Sequence, residues 1–173
     1  IDNTLYTSDS DKSNGDKLFE YDGYETQKNK FKVKFAKNSN QKKLVSVKTE
    51  DYSMSFSLVA DPNKGKSVFS SSMEQEKKKK TDDETILQKV SQKVSYKDIL
   101  SDTDFEYIIS GTSLKENIIV KSQQSDYIYK FDIDVKNIEL SLLEDGCIYA
   151  VDSETKKTVF VMPKPFMFDN NGE

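Results

Sequence analysis

From residue 104 onward the chain is a close succession of short runs rich in β-branched and aromatic residues: FEYIIS, ENIIVK, YIYKFDIDV, IELSLL, CIYAVD and TVFVM. They are parted by GTSLK, SQQSD, EDG and SETKK, segments of turn-forming residues. Runs this short and this frequent fit strands of antiparallel sheets rather than helices. The same logic extends upstream. In KFKVKFAK, Phe31, Val33 and Phe35 alternate with Lys30, Lys32 and Lys34, a period of two that buries one face and wets the other. NSNQKK then returns the chain to LVSVKT as a hairpin, and DYSMSFSLVAD sets Tyr52, Met54, Phe56, Leu58 and Ala60 opposite serines. It closes at Asp61-Pro62 and Gly65, where proline fixes φ and glycine permits a positive one, before KSVFSSS resumes as a strand. The expected fold is all-β, a sandwich-like pair of sheets with short hairpins.

Two segments break this pattern. Residues 1–17 are dense in Asp, Ser and Asn, with little apolar surface to offset the entropy of ordering, and are expected to be a flexible tail. Residues 73–93 carry a mixed-charge stretch, Lys77 to Lys80 followed at once by acids, which is expected to be a solvated loop. In ETILQKVSQKV, Ile86, Val90 and Val94 keep helical spacing while Val94 and Tyr96 alternate as a strand. A strand is expected, with room for one short helix near 84–95. The all-β domain then spans 18–173, either as one sandwich or as lobes 18–72 and 94–173 joined by the charged loop.

Composition narrows the chemistry. The chain has no histidine, which removes Ser-His-Asp and Cys-His nucleophilic sites and histidine-ligated zinc. One cysteine, Cys147, rules out an internal disulfide; in DGCIYAV it is expected to be a small buried hydrophobe. Thirty acidic groups against 26 basic ones give a net charge of -4, not the basic excess that attracts nucleic acid. No run of about 18 apolar residues occurs, so no membrane insertion is expected. No cofactor is implied. The start at Ile1, without methionine or signal pattern, suggests a piece of a longer or processed protein.

Three chemistries are worth placing on residues. Asp9, Asp11, Ser13 and Glu20 occupy the first, third, fifth and twelfth places of a calcium-loop pattern, but Asn14 stands where the pattern wants glycine and Gly15 comes one place late. A flexible linker is the simpler expectation there. A carboxylate-pair glycoside hydrolase would draw on Asp102, Asp104, Glu106 and Glu116, with one acid held protonated and one ionised. Glu106, alternating with Phe105 and Tyr107, is expected to face solvent. A module binding cell-wall glycan would stack sugars on exposed aromatics, for which Tyr21 and Tyr24 are the candidates; Tyr127, Tyr129, Phe131, Ile133 and Val135 share one face and are expected to pack as core.

The ordered series YKDILSDTDFEYIISGTSLKENIIV, YKFDIDV, the EDG turn, VFVMPKPFMFD and NNGE resembles a segment of large secreted surface proteins of Gram-positive bacteria. Wall-associated proteins with RHS or YD repeats are the relatives meant, and the resemblance covers 96–173. It implies a location outside the cell or in the wall, a non-catalytic β module with structural or adhesive work, and neighbouring domains as partners. It supplies no catalytic residue, and the repeats themselves are absent. On this reading Lys115-Glu116 opens a strand after a turn at Gly111, as an exposed charged pair worth under about 1 kcal/mol. Pro163 and Pro165 bar a central strand, and Phe166 and Phe168 are expected to cover the domain's core on the way out of it.

Overall fold

The computed structural model describes residues 1–9, 15–60, 67–76 and 91–169. Within them lie thirteen strands and no α-helix. They are β1 (Leu5–Ser8), β2 (Gly23–Thr26), β3 (Phe31–Ala36), β4 (Val45–Thr49), β5 (Tyr52–Val59), β6 (Met73–Gln75) and β7 (Ser91–Leu100). The chain continues through β8 (Thr103–Ser110), β9 (Ser113–Val120), β10 (Lys130–Lys136), β11 (Ile138–Leu142), β12 (Ile148–Asp152) and β13 (Thr158–Met162). All pairings are antiparallel and make a six-stranded sheet, β1-β2-β3-β4-β5-β10, a four-stranded sheet, β6-β7-β8-β9, and a three-stranded meander, β11-β12-β13.

The hairpins close where the sequence tolerates a left-handed residue. β4 turns into β5 over Glu50 and Asp51, β7 into β8 over Ser101 and Asp102, and β8 into β9 over Gly111 and Thr112. Glu50, Asp102 and Gly111 hold the positive φ that such two-residue turns require. The turn expected at Gly111 is therefore present.

The six- and four-stranded sheets face each other across one core. Phe35 on β3 meets Tyr107 on β8 with ring centroids 5.5 Å apart, and Tyr107 meets Tyr96 on β7 edge-on at 6.3 Å. The Tyr96 hydroxyl donates to the Ala36 carbonyl at 2.6 Å, so even the polar end of this buried ring ties one sheet to the other. Val33, Phe35, Val45, Val47 and Met54 supply one side; Val94, Ile99, Phe105 and Ile109 supply the other. The meander joins at one end through Ile138, Ala150 and an edge contact of Phe31 with Phe160. The sandwich-like, all-β architecture expected from alternation is the one observed.

The chain crosses the suggested boundary between lobes. β10 returns to the first sheet and pairs with β5 along its length, Lys130 opposite Val59 to Lys136 opposite Ser53. Part of the charged loop is also ordered otherwise: Met73–Gln75 is a strand, and from Ser91 onward the ambiguous stretch is β7. Residues 84–90, where a short helix had room, lie outside the described residues.

The amino-terminal region departs most from expectation. Leu5–Ser8 is not a tail but the edge strand β1, because Leu5 reaches the core and the strand pairs with β2. Asn3 is fully buried, and its amide donates to the Gly111 carbonyl at 3.1 Å, linking this edge to the opposite sheet. Asp16 caps the 3-10 turn Lys17–Phe19 by accepting from the Leu18 N–H. That turn and Tyr21 cover the outer face of β3 and β4.

Lys34 is consequently buried, not wetted as alternation predicts. Its ammonium donates to the Phe19 carbonyl at 2.8 Å and to Ser8 Oγ at 3.1 Å, and lies over the Tyr21 ring. Burial lowers its pKa, against the raising pull of Glu25, Asp22 and Asp9. Ser46 is buried under the same cover and donates to the Leu18 carbonyl at 2.8 Å. The first sheet is thus packed on both faces along β3 and β4.

Two further expectations are revised. Cys147 is partly exposed, because it ends the Glu144–Gly146 turn and Ala150 takes the buried place in β12. Of the expected core row, Phe131, Tyr129 and Ile133 do pack against the core, Phe131 at 5.8 Å from Phe105, but Tyr127 and Val135 are exposed, Tyr127 lying before β10 begins and Val135 near its end.

Candidate interaction surface

The sheet separates the four carboxylates that a hydrolase would draw on. Asp104 and Glu106 share the outward face of β8, opposite Phe105 and Tyr107. Both are buried rather than solvated, which revises the expectation for Glu106. Burial pushes the Asp104 pKa up, but Lys121 at 2.6 Å, the Asp98 N–H at 2.8 Å and Lys97 at 3.0 Å more than reverse it, and the net direction is down. Glu106 is lowered in the same way, burial being outweighed by Lys93 at 2.7 Å and the Asn117 amide at 3.0 Å. Both acids are held ionised.

Glu116 belongs to the other face. It stands opposite Tyr107 on the edge strand β9 and accepts that hydroxyl at 2.6 Å. Although much of the residue is exposed, its carboxyl end is tucked beside Tyr107, and burial raises its pKa while the hydroxyl bond opposes this. It therefore makes no pair with Lys115, whose side chain points the other way along the strand. Asp102 sits in a turn and accepts from Ser122 Oγ at 2.8 Å. These four acids do not form one cleft with a protonated and an ionised member, the arrangement a carboxylate-pair hydrolase needs.

Asp104 gives a pH prediction. A carboxylate whose folded pKa lies below its unfolded value contributes stability above that value, near 3.8 here, and the contribution is lost as the pH falls through the folded pKa. Urea unfolding at neutral pH is expected to show Asp104→Asn less stable by about 1–3 kcal/mol, since Lys97 and Lys121 lose their shared partner. At acid pH, once the folded carboxylate too is protonated, the variant and the parent are expected to converge, about 1 kcal/mol or less apart. An equal difference at both pH values would contradict this assignment.

Of the calcium-pattern residues, Asp11 and Ser13 lie outside the described residues. Asp9 and Glu20 are exposed, and no group of acidic side chains placed to hold a metal occurs among the described residues. Asp16 is instead the buried acid of this region, 3.2 Å from the Lys48 ammonium. Tyr21 is not available for stacking: it is buried, and its hydroxyl donates to the Lys34 carbonyl at 2.8 Å. Tyr24 is half-buried and lines an open cleft of about 510 Å³ beside the 37–41 loop.

The most distinctive surface is at the carboxy-terminal end. Register places Leu142 opposite Ile148 and Ile148 opposite Met162, a row of apolar side chains on the same face as buried Ala150. Near Ala150 that face is covered by the sandwich. At the other end it is not: Leu142 is 71% exposed and its neighbour Leu143 50%. The chain then leaves over the β11–β12 turn, where the Lys164 stem lies against Gly146, whose φ is +80°. Beyond it Phe166, Met167 and Phe168 are 78%, 66% and 64% exposed, with the two rings stacked at 6.1 Å. Exposed large apolar side chains in this number make the carboxy-terminal end the candidate interaction surface among the described residues.

Over 86 residues the chain is 31% identical to a wall-associated protein of Geobacillus stearothermophilus. The match takes in 50% of this chain and 33% of that relative, so the chain spans about a third of the length of the protein it resembles. No family model matches, and no solved structure matches. Among the described residues no helix is long and apolar enough to cross a membrane.

Sequence reasoning did not find the overhang of the meander. IELSLL looks like an ordinary alternating strand, and only the register with β12 shows that Leu142 lies past the edge of the sandwich. The consecutive leucines Leu142-Leu143 were the available signal, since strict alternation would place a polar residue at one of them.

Proposed function

We propose that this protein is a non-catalytic structural module of a cell-wall-associated surface protein of a Gram-positive bacterium, and that its carboxy-terminal end seats an adjoining domain of the same polypeptide. The observation that carries the reading is the exposure of large apolar side chains at the carboxy-terminal end, Leu142 and Leu143 at the close of β11 and Phe166 to Phe168 after β13. The name of the Geobacillus relative supports the location, and the two thirds of that protein outside the match support a module embedded in a longer chain. A neighbour on the same chain fits this surface, because Phe166 to Phe168 lie beyond the last strand and the packed Lys164-Gly146 contact aims the chain away from the sandwich. Tethering holds such a neighbour at high effective concentration, so a modest apolar patch suffices to dock it.

The test compares the 173-residue chain with the longer polypeptide, each with and without the double substitution Leu142→Ser and Phe166→Ser. Both side chains are solvent-exposed in the short chain, so its thermal midpoint is expected to move little, within about 0.5 kcal/mol of stability. In the longer polypeptide the substitutions are expected to split a coupled calorimetric transition into two. A longer polypeptide whose melting is the same with and without them would overturn the reading.

A further inference from the structure

The cleft beside Tyr24 is separate from the docking surface, and its open lining mixes polar groups with the apolar surface of Tyr24 and Met73. It opens where the end of β3 and the 37–41 loop meet β6. Tyr24 comes from β2, on the same face of the sheet as its cross-strand neighbour Phe35, and closes the floor on the core side. Asp22 and Lys37 contribute one charge of each sign, and Asn40, Gln41 and Ser72 complete the rim.

This rim is held in shape by hydrogen bonds within the 38–41 loop and from it to its neighbours. Asn38 bridges to Ser72 as an isolated β-contact, accepts from the Asn40 N–H at 3.2 Å and the Ser70 hydroxyl at 2.9 Å, and donates its own N–H to Gln41 Oε1. The Met73 N–H donates to the Lys37 carbonyl and the Lys37 N–H to the Asp22 carbonyl, both at 3.0 Å. A backbone fixed this way places Asn40, Gln41 and Tyr24 along the cleft, so binding need not order the loop that carries the two amides. Planar amides that donate and accept, beside an aromatic ring, match the alternating hydroxyls and apolar face of a pyranose. Opposite charges at the rim give no preference for a polyanion, and the cleft volume of about 510 Å³ falls within the roughly 300–1,000 Å³ of small-ligand sites.

We propose that this cleft binds a neutral or N-acetylated pyranoside oligosaccharide, stacked on Tyr24 and hydrogen-bonded by Asn40 and Gln41. The proposal stands apart from domain docking, which uses the other end of the molecule and none of these residues.

The probes are N-acetylglucosamine tetramer and cellotetraose, titrated into the whole 173-residue chain and followed by amide NMR shifts. Saturable shifts are expected at Tyr24, Lys37 to Gln41 and Ser72 to Met73 with at least one of the two sugars. Asn40→Ala, a change at an exposed loop position, is expected to weaken binding by about fivefold, and Tyr24→Ala by about tenfold or more. Because Tyr24 also touches the core, Tyr24→Leu serves beside it: the leucine keeps apolar bulk and loses the ring, and is expected to weaken binding as much. Absence of saturable shifts with both sugars would overturn the proposal. So would unchanged affinity in Asn40→Ala together with Tyr24→Leu, or shifts gathered at 140–143 and 166–168 instead.

Discussion

Replacing Phe35 with alanine is expected to lower the free energy of unfolding by about 3–5 kcal/mol, the range for truncating a fully buried aromatic ring. Phe35 has no exposed surface and stands at the centre of the contact between the two larger sheets, against Tyr107. Relaxation cannot close the gap, because the same strand is pinned on its other face by Lys34 and the segment that covers it. Equilibrium denaturation in urea measures the loss. A cost below about 1 kcal/mol would mean that the sheets do not meet at Phe35. Phe160→Ala, at the junction with the meander, is expected to cost less, since that ring is only half-buried.

Gly23→Ala is expected to be comparably damaging for a different reason. Gly23 pairs with Ala36, and a Cβ at this position would lie 2.0 Å from the Phe35 carbonyl oxygen and 3.0 Å from its carbon. Neither atom belongs to a side chain that could swing away. One strand must shift, breaking the register that seats Tyr24 and threads β1 onto the sheet edge. A destabilisation of about 3 kcal/mol is expected, at the upper end of overpacking penalties. Gly15→Ala provides the contrast: open space surrounds it, and only its φ of +77° opposes a side chain, so about 1 kcal/mol is expected. Equal effects at the two glycines would show that β2 and β3 are not as close as described.

Much of the fold was legible because alternation encodes which strands exist and which face of each is apolar. β3, β4, β5 and β8 fall where Val33-Phe35, Val45-Val47, Met54-Phe56 and Phe105-Tyr107 keep a period of two. Alternation says nothing about what lies on the second face. Lys34, Ser46, Ser53 and Ser55 have the residue types of a wetted surface, yet all are buried. Their cover comes from the end of the stretch whose composition suggested a tail and from the residues just after it, and the local signals were Asp16 placed to cap Leu18 and the aromatic pair Phe19 and Tyr21. Short polar segments can order when each backbone group finds a partner, which composition does not report.

The candidate sites were less legible, because each depends on register or on distant segments. Tyr21 and Tyr24 are three residues apart and equivalent by type, but one is sealed against Ser46 while the other borders an open cleft. Glu106 and Glu116 are both acids in β-rich runs, and only strand parity sends them to opposite faces of a sheet. Phe166 and Phe168 were correctly placed after the last strand by the prolines before them, although they stand exposed instead of covering the domain's own core.

Amide hydrogen exchange, compared between the 173-residue chain and the longer polypeptide, tests the central claim most directly. A docked neighbour slows exchange at Leu140 to Leu143 and Phe166 to Phe168 in the longer polypeptide, while the distant β1–β2 edge exchanges alike in both. Identical exchange at Leu140 to Leu143 and Phe166 to Phe168 in the two proteins would contradict the account of this molecule as a module that seats its neighbour.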